Sequence, residues 1–246
     1  MPLSVRAISA CISLAIMLHS PIAKADMMEV SPDQLFQQFD DVVFGHEHGM
    51  ENNTIRRWGA PLEVAIFSSP ALDTPPPLGR IQSVLTEISR ITGIDVARAD
   101  DNTQATLRLG YFPRRDFAAL PAADKTDPRY HDFINRSACL GVSNSESDRI
   151  KGGVIMIGSD ISPALQDHCL VEELVQIMGL PNDACNYQPS LFCEADHVTE
   201  LTKADKALLS MLYDPRLQSG MERADALAHV REMILERVTE ADPMTE

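Results

Sequence analysis

The sequence predicts a single α+β domain, with a mixed sheet packed on two helices and a mostly helical C-terminal part. Three observations carry that prediction. Gly153-Val154-Ile155-Met156-Ile157-Gly158 is apolar throughout, the pattern of a strand interior to a sheet. Positions 78, 81, 84, 85, 88 and 91 are apolar at helical spacing, and Gly93 ends the run. The predicted elements follow the order β-α-β-β-β-α and then mostly helices, which suits one mixed layer. The 246 residues are 44% hydrophobic, enough for an ordinary core, and a net charge of −15 makes phosphate backbones and anionic lipid poor partners. No nucleic-acid binding is expected.

Taken in order, residues 1–25 have the form of a cleavable signal peptide. Arg6 precedes an apolar run over 8–18, and Ala23-Lys24-Ala25 gives the small-x-small cleavage pattern, so cleavage after Ala25 is expected. The run is shorter than the roughly 20 residues that a membrane span needs. Ile8-Ser9-Ala10-Cys11 is only loosely like a lipoprotein box, because the apolar segment follows it. Export to the periplasm or the medium is therefore expected. Residues 26–45 form an acidic lead-in with a short helix over 32–39 capped by Ser31, and the main domain is assigned to 46–246.

Within that domain, 62–67 is a predicted strand followed by a breaker stretch to Pro77. A helix over 78–92, strands over 94–97 and 105–111, and an irregular polar stretch over 114–136 come next. After the strand at 153–158, Ser162-Pro163 opens a helix that runs to Met178 and closes at Gly179. A loop over 181–196 and helices over 203–213 and 221–238 complete the chain.

Cys11 leaves with the signal, so Cys139, Cys169, Cys185 and Cys193 remain. An even number in an oxidising compartment points to two disulfides, with three possible connectivities. The chain has no CxxC pair, and the spacings match no common zinc finger.

The helix over 163–178 is the informative element. Glu172, Glu173 and Gln176 share one arc of it, while Leu170, Val171, Leu174, Val175, Ile177 and Met178 fill the rest. That arc either faces water or aims carboxylates into a cleft. The run Glu172-Glu173-Leu174-Val175-Gln176-Ile177-Met178-Gly179-Leu180-Pro181-Asn182-Asp183, then Pro189-Ser190-Leu191-Phe192, resembles the signature of the family called domain of unknown function 2927. Leu201-Thr202-Lys203-Ala204-Asp205, Leu212-Tyr213-Asp214-Pro215-Arg216-Leu217 and Gly220-Met221 fit the same family, as do Phe44-Gly45, Trp58 and Thr92-Gly93-Ile94-Asp95. The family brings no established activity.

A more distant resemblance is to the zincin metallopeptidases, whose helix reads HExxHxxGL. Under it the chain has a zincin-like fold in which Glu172 and Gln176 replace the two zinc-binding histidines and Glu173 matches the general base. Asn182 stands at the third ligand, and Ser190-Leu191-Phe192 is similar to a Met-turn. One carboxylate and two neutral amides are feeble zinc donors, and oxygen donors suit Ca²⁺ or Mg²⁺, which acidify water much less. No cofactor is expected, and the resemblance, taken with the signal-like segment that points to export, implies a non-catalytic protein that binds an envelope protein or peptide. The rival is a metal-dependent hydrolase using Glu173 as base.

The expected pairing is Cys139–Cys169, pinning the signature helix to the sheet, and Cys185–Cys193, stapling a loop where the family carries acidic or amide residues. His46-Glu47-His48 reads as solvated loop, and His168 and His197 as surface or supporting groups. Ser159, Ser162 and Ser190 lack the G-x-S-x-G context of a serine hydrolase.

Overall fold

The computed structural model of the chain describes residues 30–45, 52–70, 72, 74–99, 104–119, 134, 136–193 and 195–241. The signal-like segment and His46-Glu47-His48 lie outside the described residues. Ser31 opens α1 (Pro32–Phe44) with a reciprocal capping box to Gln34, and Leu35, Phe39, Val42, Val43 and Phe44 are buried. The segment 26–45, expected as a lead-in, thus supplies a helix to the main core.

The strands are β1 (Arg57–Trp58), β2 (Leu62–Ser68), β3 (Val96–Arg98), β4 (Leu107–Phe112), β5 (Cys139–Glu146) and β6 (Arg149–Gly158). They form one six-stranded sheet among the described residues, in the order β1-β6-β4-β2-β3 with β5 on β6. β1, β4, β2 and β3 join β6 in parallel pairings, and β5 alone runs antiparallel, as the arm of a hairpin. The hairpin turns on Ser147 and Asp148 at φ 50° and 60°, the two positive angles that match the twist of flanking strands. β1 and β5 were not among the expected strands, and β6 extends the expected 153–158 back to Arg149.

Parallel strands need crossover connections, and α2 (Leu78–Thr92) supplies the one from β2 to β3, while α3 (Pro163–Gln176) follows the last strand. The two helices pack together, and Leu62, Val64, Leu107, Leu109, Ile155 and Ile157 share a core with Ile81, Ile88, Leu170 and Leu174. Met156 and Leu140 belong to a smaller cluster with Phe117 and Ile134, Phe117 coming from a 3₁₀ turn at Arg114–Ala119. α4 (Lys203–Leu212) packs on α2, and α5 (Arg223–Ala241) packs on α1. Arg223 donates to both carboxylate oxygens of Asp40 at 2.7 Å, a fork that fixes α1 against the start of α5. Arg216 similarly bridges Asp214 at 2.9 Å and Glu236 at 2.8 Å. Among the described residues no helix is long and apolar enough to cross a membrane.

Cys139 is joined to Cys169 and Cys185 to Cys193, as expected. The first bridge ties the edge strand to α3 across 30 residues of chain, and the second closes a loop of 8. Paired cysteines of this kind belong to chains that fold in an oxidising compartment.

Candidate functional site

α3 begins at Ser162, whose hydroxyl accepts from the Leu165 N–H, with Pro163 at the first helical position. Of the two readings of its polar arc, exposure to water does not hold. Glu173 is 6% exposed, and its carboxylate lies so close to Gly141 of β5 that a Cβ there would overlap Oε2. Glycine at 141 leaves room for it, and a larger residue would have to push the carboxylate aside. The side chain of Glu172 is 12% exposed and meets Nε2 of His168, one turn earlier, at 3.3 Å.

His168 is buried rather than at the surface, and its Nδ1 lies 2.6 Å from the Val198 carbonyl. A carbonyl can only accept, so Nδ1 carries the proton. The ring stacks on that of His197 at 5.3 Å between centroids. Burial lowers the pKa of His168; the Val198 carbonyl opposes that shift, and the neighbouring His197 adds to it.

The amide positions do structural work. Gln176 donates from Nε2 to Asp183 at 2.7 Å. Asn182 donates both its backbone N–H and its side-chain Nδ2 to the Val42 carbonyl, each at 3.2 Å. Val42 lies in the last turn of α1, where a helix leaves its carbonyls without internal donors. Asn182 therefore closes the end of α1, and with it the join between α1 and the signature loop.

The carboxyl end of α3 is closed in the same way. Trp58 donates from Nε1 to the Ile177 carbonyl at 2.9 Å, and the Tyr213 hydroxyl donates to the Met178 carbonyl at 2.8 Å. Gly179 follows at φ 118°, with the Arg56 carbonyl where a Cβ would stand, so both conformation and contact demand glycine. Burial raises the pKa of Tyr213 and keeps it a donor.

Asp205, fully buried on α4, gathers the loop that follows. It accepts from the Tyr187 hydroxyl at 2.8 Å, the Ser190 hydroxyl at 2.9 Å, the Leu191 N–H at 3.1 Å and the Thr202 N–H at 3.0 Å. Four donors on one carboxylate satisfy a charge that burial alone would forbid. In the sequence Asp205 stands out only as part of the Leu201-Thr202-Lys203-Ala204-Asp205 family match. The Thr202-x-x-Asp205 capping spacing was the available signal.

The structure thus brings Glu172, Glu173 and Gln176 together on α3 and turns Asn182 toward α1. This donor set does not suit a catalytic zinc, since two of its members, Gln176 and Asn182, are neutral amides, which are weak zinc donors beside imidazole, thiolate or carboxylate. Among the described residues, no group of three His, Cys, Asp or Glu side chains is placed to hold a metal ion.

Sheet, signature helix and hydrogen-bonded loop define a disulfide-stapled mixed α/β domain organised about α3. The chain belongs to the family described as Protein of unknown function (DUF2927), whose family model matches residues 32–232, from the first residue of α1 into α5. No curated protein and no solved structure matches it.

Proposed function

We propose that the protein is exported, loses residues 1–25 by cleavage after Ala25, and acts in the periplasm or outside the cell as a zincin-like scaffold. It binds an envelope protein or peptide and does not cut it. The observation that carries this reading is the engagement of two of the three positions matching zinc ligands. Asn182 holds the end of α1 and Gln176 holds Asp183. Side chains committed to the fold in this way are poor candidates for a site that must exchange water and substrate.

The competing hydrolase reading draws on Glu173, a carboxylate buried against the antiparallel edge strand. The two separate in one experiment on the exported protein. Elemental analysis is combined with a peptidase assay of wild type and Glu173→Gln, a change that keeps shape and removes charge. The binding reading expects no stoichiometric zinc and no peptidase activity. About one zinc per chain, lost on Glu172→Ala, with proteolysis lost on Glu173→Gln, would establish the hydrolase.

A further inference from the structure

The opposite end of α3 holds a feature that the signature does not touch. β2, β4 and β6 all end, at Ser68, Phe112 and Gly158, where α2 and α3 begin. A cleft of about 630 Å³ opens there, within the range of small-molecule sites, and it shares no lining residue with Glu172, Glu173, Gln176 or Asn182. Crevices beyond the carboxyl ends of parallel strands are where open α/β sheets place ligands.

Tyr111, on β4, lines this cleft at 2% exposure, and its hydroxyl has no hydrogen-bond partner among the described residues. Buried polar atoms are rarely left so. Burial and the nearby Asp167 charge both raise the pKa of this group, so it stays protonated and can donate. The other charges of the lining are largely matched. Arg80 gives Nε to Asp167 at 2.7 Å, Nη1 to Glu200 at 3.0 Å and Nη2 to the Thr199 carbonyl. Asp160 accepts from the Arg114 N–H at 3.0 Å and pairs with that guanidinium at 3.4 Å. Arg115 remains at the rim, 79% exposed, with Asp116 at 3.7 Å, beyond hydrogen-bond length.

The start of α2 adds partial positive charge. Its N-cap, Pro77, makes no side-chain hydrogen bond, and its first turn holds no acid. Pro75, Pro76, Pro77 and Leu72 supply an apolar wall.

We propose that this cleft binds a small monocarboxylate with an apolar body. The carboxylate faces the Tyr111 hydroxyl, Arg115 and the start of α2 supply the complementary charge, and the body lies on the proline wall. A phosphate dianion fits less well, because Asp160 and Asp167 in the same lining oppose a second negative charge. The proposal is independent of whether Glu173 is catalytic.

The test is calorimetric titration of the full exported protein with benzoate, hexanoate, benzyl alcohol and inorganic phosphate. Benzoate or hexanoate should bind saturably, with benzyl alcohol and phosphate at least about tenfold weaker. Tyr111→Phe removes one oxygen atom and should weaken carboxylate binding by about tenfold without lowering the unfolding temperature, since no internal hydrogen bond is lost. Arg115→Gln, at the surface, should weaken it severalfold and leaves the core untouched. Failure of both carboxylates to bind, equal binding by phosphate, or wild-type affinity in Tyr111→Phe would each overturn the proposal.

Discussion

At its carboxyl end α3 is closed by Trp58, Tyr213 and Gly179, whereas at its amino end it opens, through Pro163 and Asp167, onto the cleft that buries the Tyr111 hydroxyl. The closed end holds most residues of the family signature. Its polar groups meet other parts of the chain: Asn182 meets α1, Gln176 meets Asp183, and the 187–193 loop meets Asp205. The open end is lined by residues that no motif singles out. The contrast teaches that a run of chemistry-bearing residues on one helix can serve assembly of the fold, while an open cleft forms where strands simply end.

The largest effect expected at the closed end is that of Asp205→Ala. Removing a carboxylate with four donors strands buried groups, at a cost of about 4 kcal/mol by urea unfolding. A loss under 1 kcal/mol would show that the loop has other anchors. Opening Cys139–Cys169 by paired serine substitution should cost about 3–4 kcal/mol in the chain-entropy view, and the shorter Cys185–Cys193 loop about 1 kcal/mol less. Equal losses from the two would point to strain or packing instead of loop entropy.

Trp58→Phe keeps most of the apolar contact and deletes the bond to the Ile177 carbonyl. The expected loss is about 1–2 kcal/mol, read in the same unfolding assay. The smallest effect is a pH dependence. Hydrogen bonds from Arg216 hold the Asp214 carboxyl below its ordinary value of 3.8 despite partial burial. The sign follows: this stability is present above pH 3.8 and is lost as pH falls through the lower folded value. Arg216→Gln should flatten that acid limb by a few tenths of a kcal/mol, about what a partly exposed pair contributes. A steeper limb in the variant would contradict the assignment.

What could be read in advance divides along local and distant interactions. α2 and the core of β6 were legible because apolar period and run length are local properties, and the disulfide pairing followed from the positions of four cysteines among the predicted elements. β5 was missed because its alternation spans only Leu140 to Ser143, and Ser143-Asn144-Ser145-Glu146 is a polar run exposed at the sheet edge. α1 was foreseen as a short helix, but its burial depends on Arg223, 183 residues away, which neutralises Asp40. The polar arc of α3 was visible, yet only β5 and α1 decide that Glu173 is covered and Asn182 turned aside. The Tyr111 cleft left no local trace, since it arises where three strand ends and two helix starts meet.

The central claim is that the signature residues of α3 and its following loop hold the fold and do not hold zinc. Urea unfolding of the exported protein in EDTA and in excess zinc tests it most directly, because any ion bound by the folded chain alone raises stability with concentration. The account predicts coincident midpoints. A zinc-dependent rise of about 4 kcal/mol at a thousandfold excess over the dissociation constant, abolished by Glu172→Ala, would contradict it.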